Sequence, residues 1–107
     1  MNWEFIPGEN PIMLKIGPLN VPVLSKELEE STFGEYHHFP EPVIKINYKL
    51  NNQARAMTLL HEVLECIDAN YGLELEESTI CTLEQALTMV VRDNPEKFEE
   101  WTSRILK

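Results

Sequence analysis

The sequence predicts an α+β fold, with a small antiparallel sheet in the first half packed on an antiparallel helix pair in the second and a short C-terminal helix closing it. Three observations carry that prediction. Two short apolar runs flank Gly17-Pro18, a strong turn signal; the stretch from Val43 to Tyr48 alternates, placing Ile44, Ile46 and Tyr48 on one face; and from residue 53 onward only Gly72 and Pro95 interrupt apolar positions that recur at helical spacing. At 107 residues the chain has the length of one domain, 1–107, with a single core.

Taken in order, residues 1–10 form an apolar arm, with Trp3, Phe5 and Ile6 ahead of a turn at Pro7-Gly8. Residues 11–16 and 19–24 are the two strands of a hairpin, and Pro22, which lacks an N–H, assigns the second to a sheet edge or makes it irregular. Residues 25–34 are acidic and contain Gly34, which reads as a loop with one helical turn over 26–30. A further strand fits 33–39, where His37 and His38 point to opposite faces and so do not serve one metal together. Pro40 and Pro42 break the chain before the strand at 43–48, so the strands lie within about 11–48.

Asn51-Asn52 caps a first helix over about 53–70, with Ala56, Leu60, Val63, Leu64 and Ile67 as its buried stripe and Gly72 as its left-handed stop. A second helix over about 76–93 has Glu74, Glu76 and Glu77 near its positive end, and Ile80, Leu83, Leu87 and Val90 repeat as core positions. A third, over about 95–106, has Asn94 as cap and Pro95 at its first position. Phe98, Trp101 and Ile105 face inward from it, while Glu96, Glu99 and Glu100 stay wet.

Nine basic against eighteen acidic residues give a net charge of −9, which excludes non-specific nucleic-acid binding, because that rests on lysine and arginine neutralising phosphates. An acidic surface engages basic protein partners instead. Cys66 and Cys81 form no C-x-x-C pair and read as reduced thiols of a cytoplasmic protein. Neither an apolar run of membrane length nor a signal-peptide pattern is present.

The chemistry concentrates in the first helix. His61 and Glu65, four apart, share a helix face and offer an imidazole and a carboxylate to one metal. Glu62, one position round, is placed to act as general base on a metal-held water, as in helical zinc-peptidase motifs. The pattern H-E-x-x-E fixes only three positions, and a solvated stripe on a glutamate-rich helix produces the same letters. The apolar neighbours Leu59, Leu60, Val63 and Leu64 place His61 near the apolar boundary, where a histidine needs a partner. A catalytic zinc needs a third protein ligand. Folding the two helices about a turn near Leu73 brings Glu84 level with His61 and Cys81 level with Glu65. Glu84, beside Leu83 and Leu87, is the first choice; Glu77, on the same face, is the second; Cys81 reads as a small residue packed between helices.

The runs T-L-L-H-E-V-L-E-C-I-D, G-L-E-L and I-C-T-L-E-Q-A-L-T-M-V-V-R-D-N-P resemble small bacteriophage proteins with a zincin-like helix pair, many of them similar to the metallopeptidase domain of mobile-element regulators. The resemblance covers roughly residues 43–95. It implies a minimal zincin-like fold, a zinc-dependent peptidase-like hydrolase with Glu62 as general base, and the cytoplasm of a phage-carrying bacterium. Commoner members carry H-E-x-x-H; a sub-group carries H-E-x-x-E, then a second-helix histidine and a Leu-Glu pair. This chain keeps the pair as Leu83-Glu84 and has Glu77 where that histidine stands. One histidine with three carboxylates is a harder donor set, which makes manganese or iron competitive with zinc.

The favoured expectation is a metal-dependent hydrolase acting on a peptide or protein, laid beside the site as an added strand. Two other readings stand beside it. One is a catalytically inactive acidic protein that neutralises a host factor; the other is a closed structural metal held by His61, Glu65, Glu77 and Glu84.

Overall fold

A computed structural model describes residues 11–106, so the apolar arm expected at 1–10 lies outside the described residues. Four strands, β1 (Ile12–Ile16), β2 (Leu19–Lys26), β3 (Gly34–His37) and β4 (Val43–Asn47), precede three helices, α1 (Asn52–Tyr71), α2 (Glu77–Asp93) and α3 (Pro95–Ile105). The class is α+β as the sequence predicts. Helix α1 lies on the sheet, α2 packs on α1, and α3 packs on α2. None of the described helices is long and apolar enough to cross a membrane.

The sheet order is β1-β2-β4-β3, and it is mixed where a wholly antiparallel sheet was expected. After the Gly17 hairpin the chain crosses to the outer edge as β3 and returns antiparallel into the middle as β4. Strand β4 therefore runs parallel to β2. Strand β2 is thus interior, not an edge. Pro22 is tolerated because it pairs only with Met13 of β1, and the parallel ladder begins one residue later at Val23 opposite Ile44. Alternation holds on the inner face: Val21, Val23, Ile44 and Ile46 are buried and form the core with Ile16, Leu59 and Cys66. Residues 27–33 contain no helical turn, and Gly34 opens β3 instead of closing a loop.

Asn51 caps α1, its side chain accepting from Ala54 N at 2.8 Å, and Gly72 ends the helix at φ +61°. The residues of α1 that are fully buried are Thr58, Leu59, Glu62 and Cys66, one position round from the expected stripe; Ala56 is exposed. A helix packed on a sheet on one side and on a helix on the other has two inward faces, and the expected stripe blurred them.

Further out, burial thins. Only Ile80 of α2 is fully buried, while Leu83, Leu87 and Val90 are exposed, contrary to the expected core stripe. No described side chain of α3 is buried, so Trp101 and Ile105 do not face a core. Asn94 makes no side-chain cap for α3; its amide donates to Val90 O at 3.0 Å and closes the end of α2 instead.

Candidate metal centre

The turn between α1 and α2 assembles the site. Gly72 and Leu73 both donate from their backbone N–H to Asp68 O, and Leu75 N donates to Asp68 Oδ1 at 2.9 Å. These bonds, with Glu74 held at φ +57°, reverse the chain within a few residues, so that Glu77 at the start of α2 returns over Glu65.

His61 sits at the centre with its side chain 16% exposed. Its Nε2 lies 2.9 Å from Glu77 Oε1 and 3.5 Å from Glu65 Oε1, and its Nδ1 lies 2.9 Å from Glu84 Oε1. The two ring nitrogens thus address different carboxylates. The Cys81 thiol donates to Glu77 Oε1 at 3.9 Å, on the Nε2 side. His61, Glu77 and Cys81 offer ligand atoms all within 4.8 Å of one another, a group that could hold a metal ion. Tetrahedral donors at zinc stand about 3.4 Å apart, so small side-chain rotations suffice. The donor types suit the ion, because imidazole, thiolate and carboxylate all ligate zinc.

Glu62 takes a different direction. It faces the sheet, is 6% exposed, and receives no hydrogen bond or ion pair among the described residues. A Cβ added to Gly34 would stand 2.6 Å from Thr58 Cγ2, 3.0 Å from the Lys45 carbonyl and 3.2 Å from Glu62 Oε2. The missing side chain of Gly34 is what lets edge strand β3 lie against α1 here. A cleft of about 470 Å³ opens at this point, lined among others by Phe33, Met57, Thr58, His61, Glu62 and Glu84. Its outer wall, residues 31–33, is pinned by buried Asn47, whose amide donates to Thr32 O at 2.9 Å and to Glu29 O at 3.4 Å.

So many carboxylates around one imidazole store protons. Burial raises the Glu62 carboxyl to about 7, against the lowering pull of His61 and with the charges of Glu77, Glu35 and Glu84 adding to the rise. Burial also lifts Glu65 to about 7, helped by its hydrogen bond with Glu77 and by the charges of Glu77 and Glu62. Glu77 is lowered, first through that bond with Glu65 and then by His61. Burial alone would lower His61, but the hydrogen bond with Glu84 and the charges of Glu62, Glu77 and Glu84 outweigh it and raise it. Burial and the same carboxylates push the Cys81 thiol up.

The structure therefore brings together His61, Glu62, Glu65, Glu77 and Glu84, with Glu84 on the ring nitrogen opposite the other candidate ligands. Cys81 is half-buried at the rim of the donor group, not packed away between helices. His37 and His38 stand apart, with His37 Nε2 3.4 Å from Glu35 Oε1 and His38 Nδ1 2.6 Å from the Tyr36 hydroxyl. Sequence reasoning missed Gly34, Thr58 and Asn47. A glycine directly before the alternating Glu35-Tyr36-His37 was the available signal for close strand-to-helix approach. Comparison with protein-family models, curated proteins and solved structures gave no match to this chain.

Proposed function

We propose that the chain is a metal-dependent hydrolase of peptide or protein segments, a zincin-like phage protein reduced to one sheet and one helix pair. The observation that carries this reading is Glu62. Its side chain is 6% exposed, makes no hydrogen bond or ion pair among the described residues, and lies in the wall of the cleft beside His61 with its oxygens not shut off from solvent. It suits a general base.

His61 Nε2, Glu65 and Glu77 would hold the ion, with Cys81 in reach as a further donor. A divalent ion bound there supplies Lewis-acid polarisation and lowers the pKa of water. Glu84 holds the imidazole through Nδ1, so that Nε2 is presented to the other donors. Glu62 takes a proton from attacking water at a carboxylate oxygen and returns it to the leaving amine. Among the described residues β3 pairs only with β4, and its other edge, beside Gly34, is suited to an extended substrate added as a further strand.

The test is Glu62→Gln in the zinc-loaded chain against a broad peptide library. Metal binding is retained and turnover lost on this reading. Absence of turnover by the loaded wild-type chain would refute hydrolysis. The Cys81 thiol favours one second reading, because a fourth protein donor closes the coordination sphere of a structural zinc. In that case zinc raises thermal stability and Glu62→Gln changes nothing else.

A further inference from the structure

The two cysteines stand in opposite surroundings. Cys66 is wholly buried in the core cluster with Val21, Val23, Ile44 and Ile46, an ordinary place for a reduced thiol. Cys81 is half-buried, lies outside that core, and lines the cleft together with His61, Glu62 and Glu84. It follows Glu77 by four residues on α2, so the thiol and the carboxylate leave one face of that helix together. That face is turned to His61, whose Nε2 lies 2.9 Å from Glu77 Oε1. Among the described residues, His61, Glu77 and Cys81 are the group whose ligand atoms all stand within 4.8 Å of one another. Apolar packing does not account for a thiol whose hydrogen-bond partner is a carboxylate.

The donor types carry the argument further. Glu65 Oε1 stands 3.5 Å from His61 Nε2, beyond Glu77 Oε1, and Glu84 is spent on Nδ1. The Nε2 side therefore gathers an imidazole nitrogen, two carboxylates and one thiol. Zinc accepts all three kinds of donor and takes four ligands. Carboxylate also suits manganese, whereas thiolate is a soft donor that favours zinc. A water to be activated needs one of the same four positions, so the sulfur and the water compete for it.

We propose that Cys81 is a thiolate ligand of the ion held at His61 Nε2, that it makes the centre selective for zinc over manganese, and that it competes with water for the fourth position. The thiol proton goes to solvent as the sulfur–metal bond forms. The harder donor set expected from the sequence, one histidine with three carboxylates, is softened accordingly. This inference rests on the metal centre of the proposed function and not on hydrolysis.

Loading cobalt(II) into the chelator-stripped full chain tests it, because a thiolate bound to cobalt gives a near-ultraviolet charge-transfer band that nitrogen and oxygen donors do not. The band is expected in the wild type and absent from Cys81→Ser, which exchanges one half-buried sulfur for oxygen and keeps the fold, as circular dichroism will show. Zinc affinity falls by about 100-fold or more in Cys81→Ser, past the roughly 10–100-fold that an outer partner of a ligand is worth. Manganese affinity is unchanged. In the wild type alone, zinc protects Cys81 from alkylation by iodoacetamide, and Cys66, buried in the native chain, adds no background. Zinc and cobalt bound with neither the band nor the protection overturn the inference and leave the hydrolase reading on its other donors. Band and protection in a loaded chain that turns over no peptide overturn hydrolysis and leave Cys81 a ligand. A chain that binds neither ion overturns both.

Discussion

His61 Nδ1 lies 2.9 Å from Glu84 Oε1, and this one contact leaves His61 Nε2 turned to Glu77 and Glu65. A histidine that ligates through one nitrogen is commonly held by a carboxylate on the other, which fixes its tautomer and orientation. Glu84 is the group placed for that task.

Glu84→Gln is therefore expected to weaken zinc binding by about 10–100-fold and not to abolish it. Glu77→Gln, which removes a donor on the Nε2 side, costs more. Calorimetric titration of the two variants side by side checks the order, and the reverse order would place the ion at Nδ1.

The metal-free protein should lose stability as pH rises. Glu62 and Glu65 are raised to about 7 in the fold from an ordinary 4.5. Between those values the native chain keeps protons that the unfolded chain has released, so stability falls with pH across that window. His61, also raised, has the same sign, its contribution being lost as pH rises through its folded pKa. Glu77, lowered, has the opposite sign, but its gain comes below about 4.5. Chelator-treated protein should melt at a higher temperature near pH 5.5 than near pH 8, and saturating zinc should flatten or invert that trend, because the ion takes the place of the protons.

Gly34→Ala is expected to destabilise the fold by about 1–3 kcal/mol, since the new methyl meets Thr58 and the Lys45 carbonyl at overpacked distances. Urea unfolding measures it. A neutral result would mean that β3 shifts freely, and the cleft with it.

Asn47→Ala should cost about 1–3 kcal/mol, because it leaves the carbonyl of Thr32 and the N–H of Lys49 without their side-chain partner. Hydrogen exchange should show the loss first in residues 29–33, the wall of the cleft.

The fold class and the helix pair were legible because hydrophobic period and end signals agree there: Asn51 caps, Gly72 stops, and Pro95 starts. The parallel pairing of β2 with β4 was not, since adjacency in a sheet depends on where β3 crosses, and nothing local to Pro22 encodes that. Counting residues from the turn near Leu73 brought Glu84 to His61. It could not say which ring nitrogen Glu84 would meet, because that depends on a side-chain torsion. Trp101 and Ile105 read as inward because an amphipathic pattern shows that a helix has an apolar face, not that a neighbouring element lies against it; both side chains are exposed.

The central claim is that His61 Nε2 and its carboxylates form a metal centre, and it is tested most directly by titrating zinc into chelator-stripped wild-type and His61→Ala protein. The expected result is about one ion per wild-type chain, with a stabilisation of about 2.7 kcal/mol when free zinc is a hundred times the dissociation constant, and no such binding by a folded His61→Ala. Equal binding by both proteins, or none by the wild type, would contradict it.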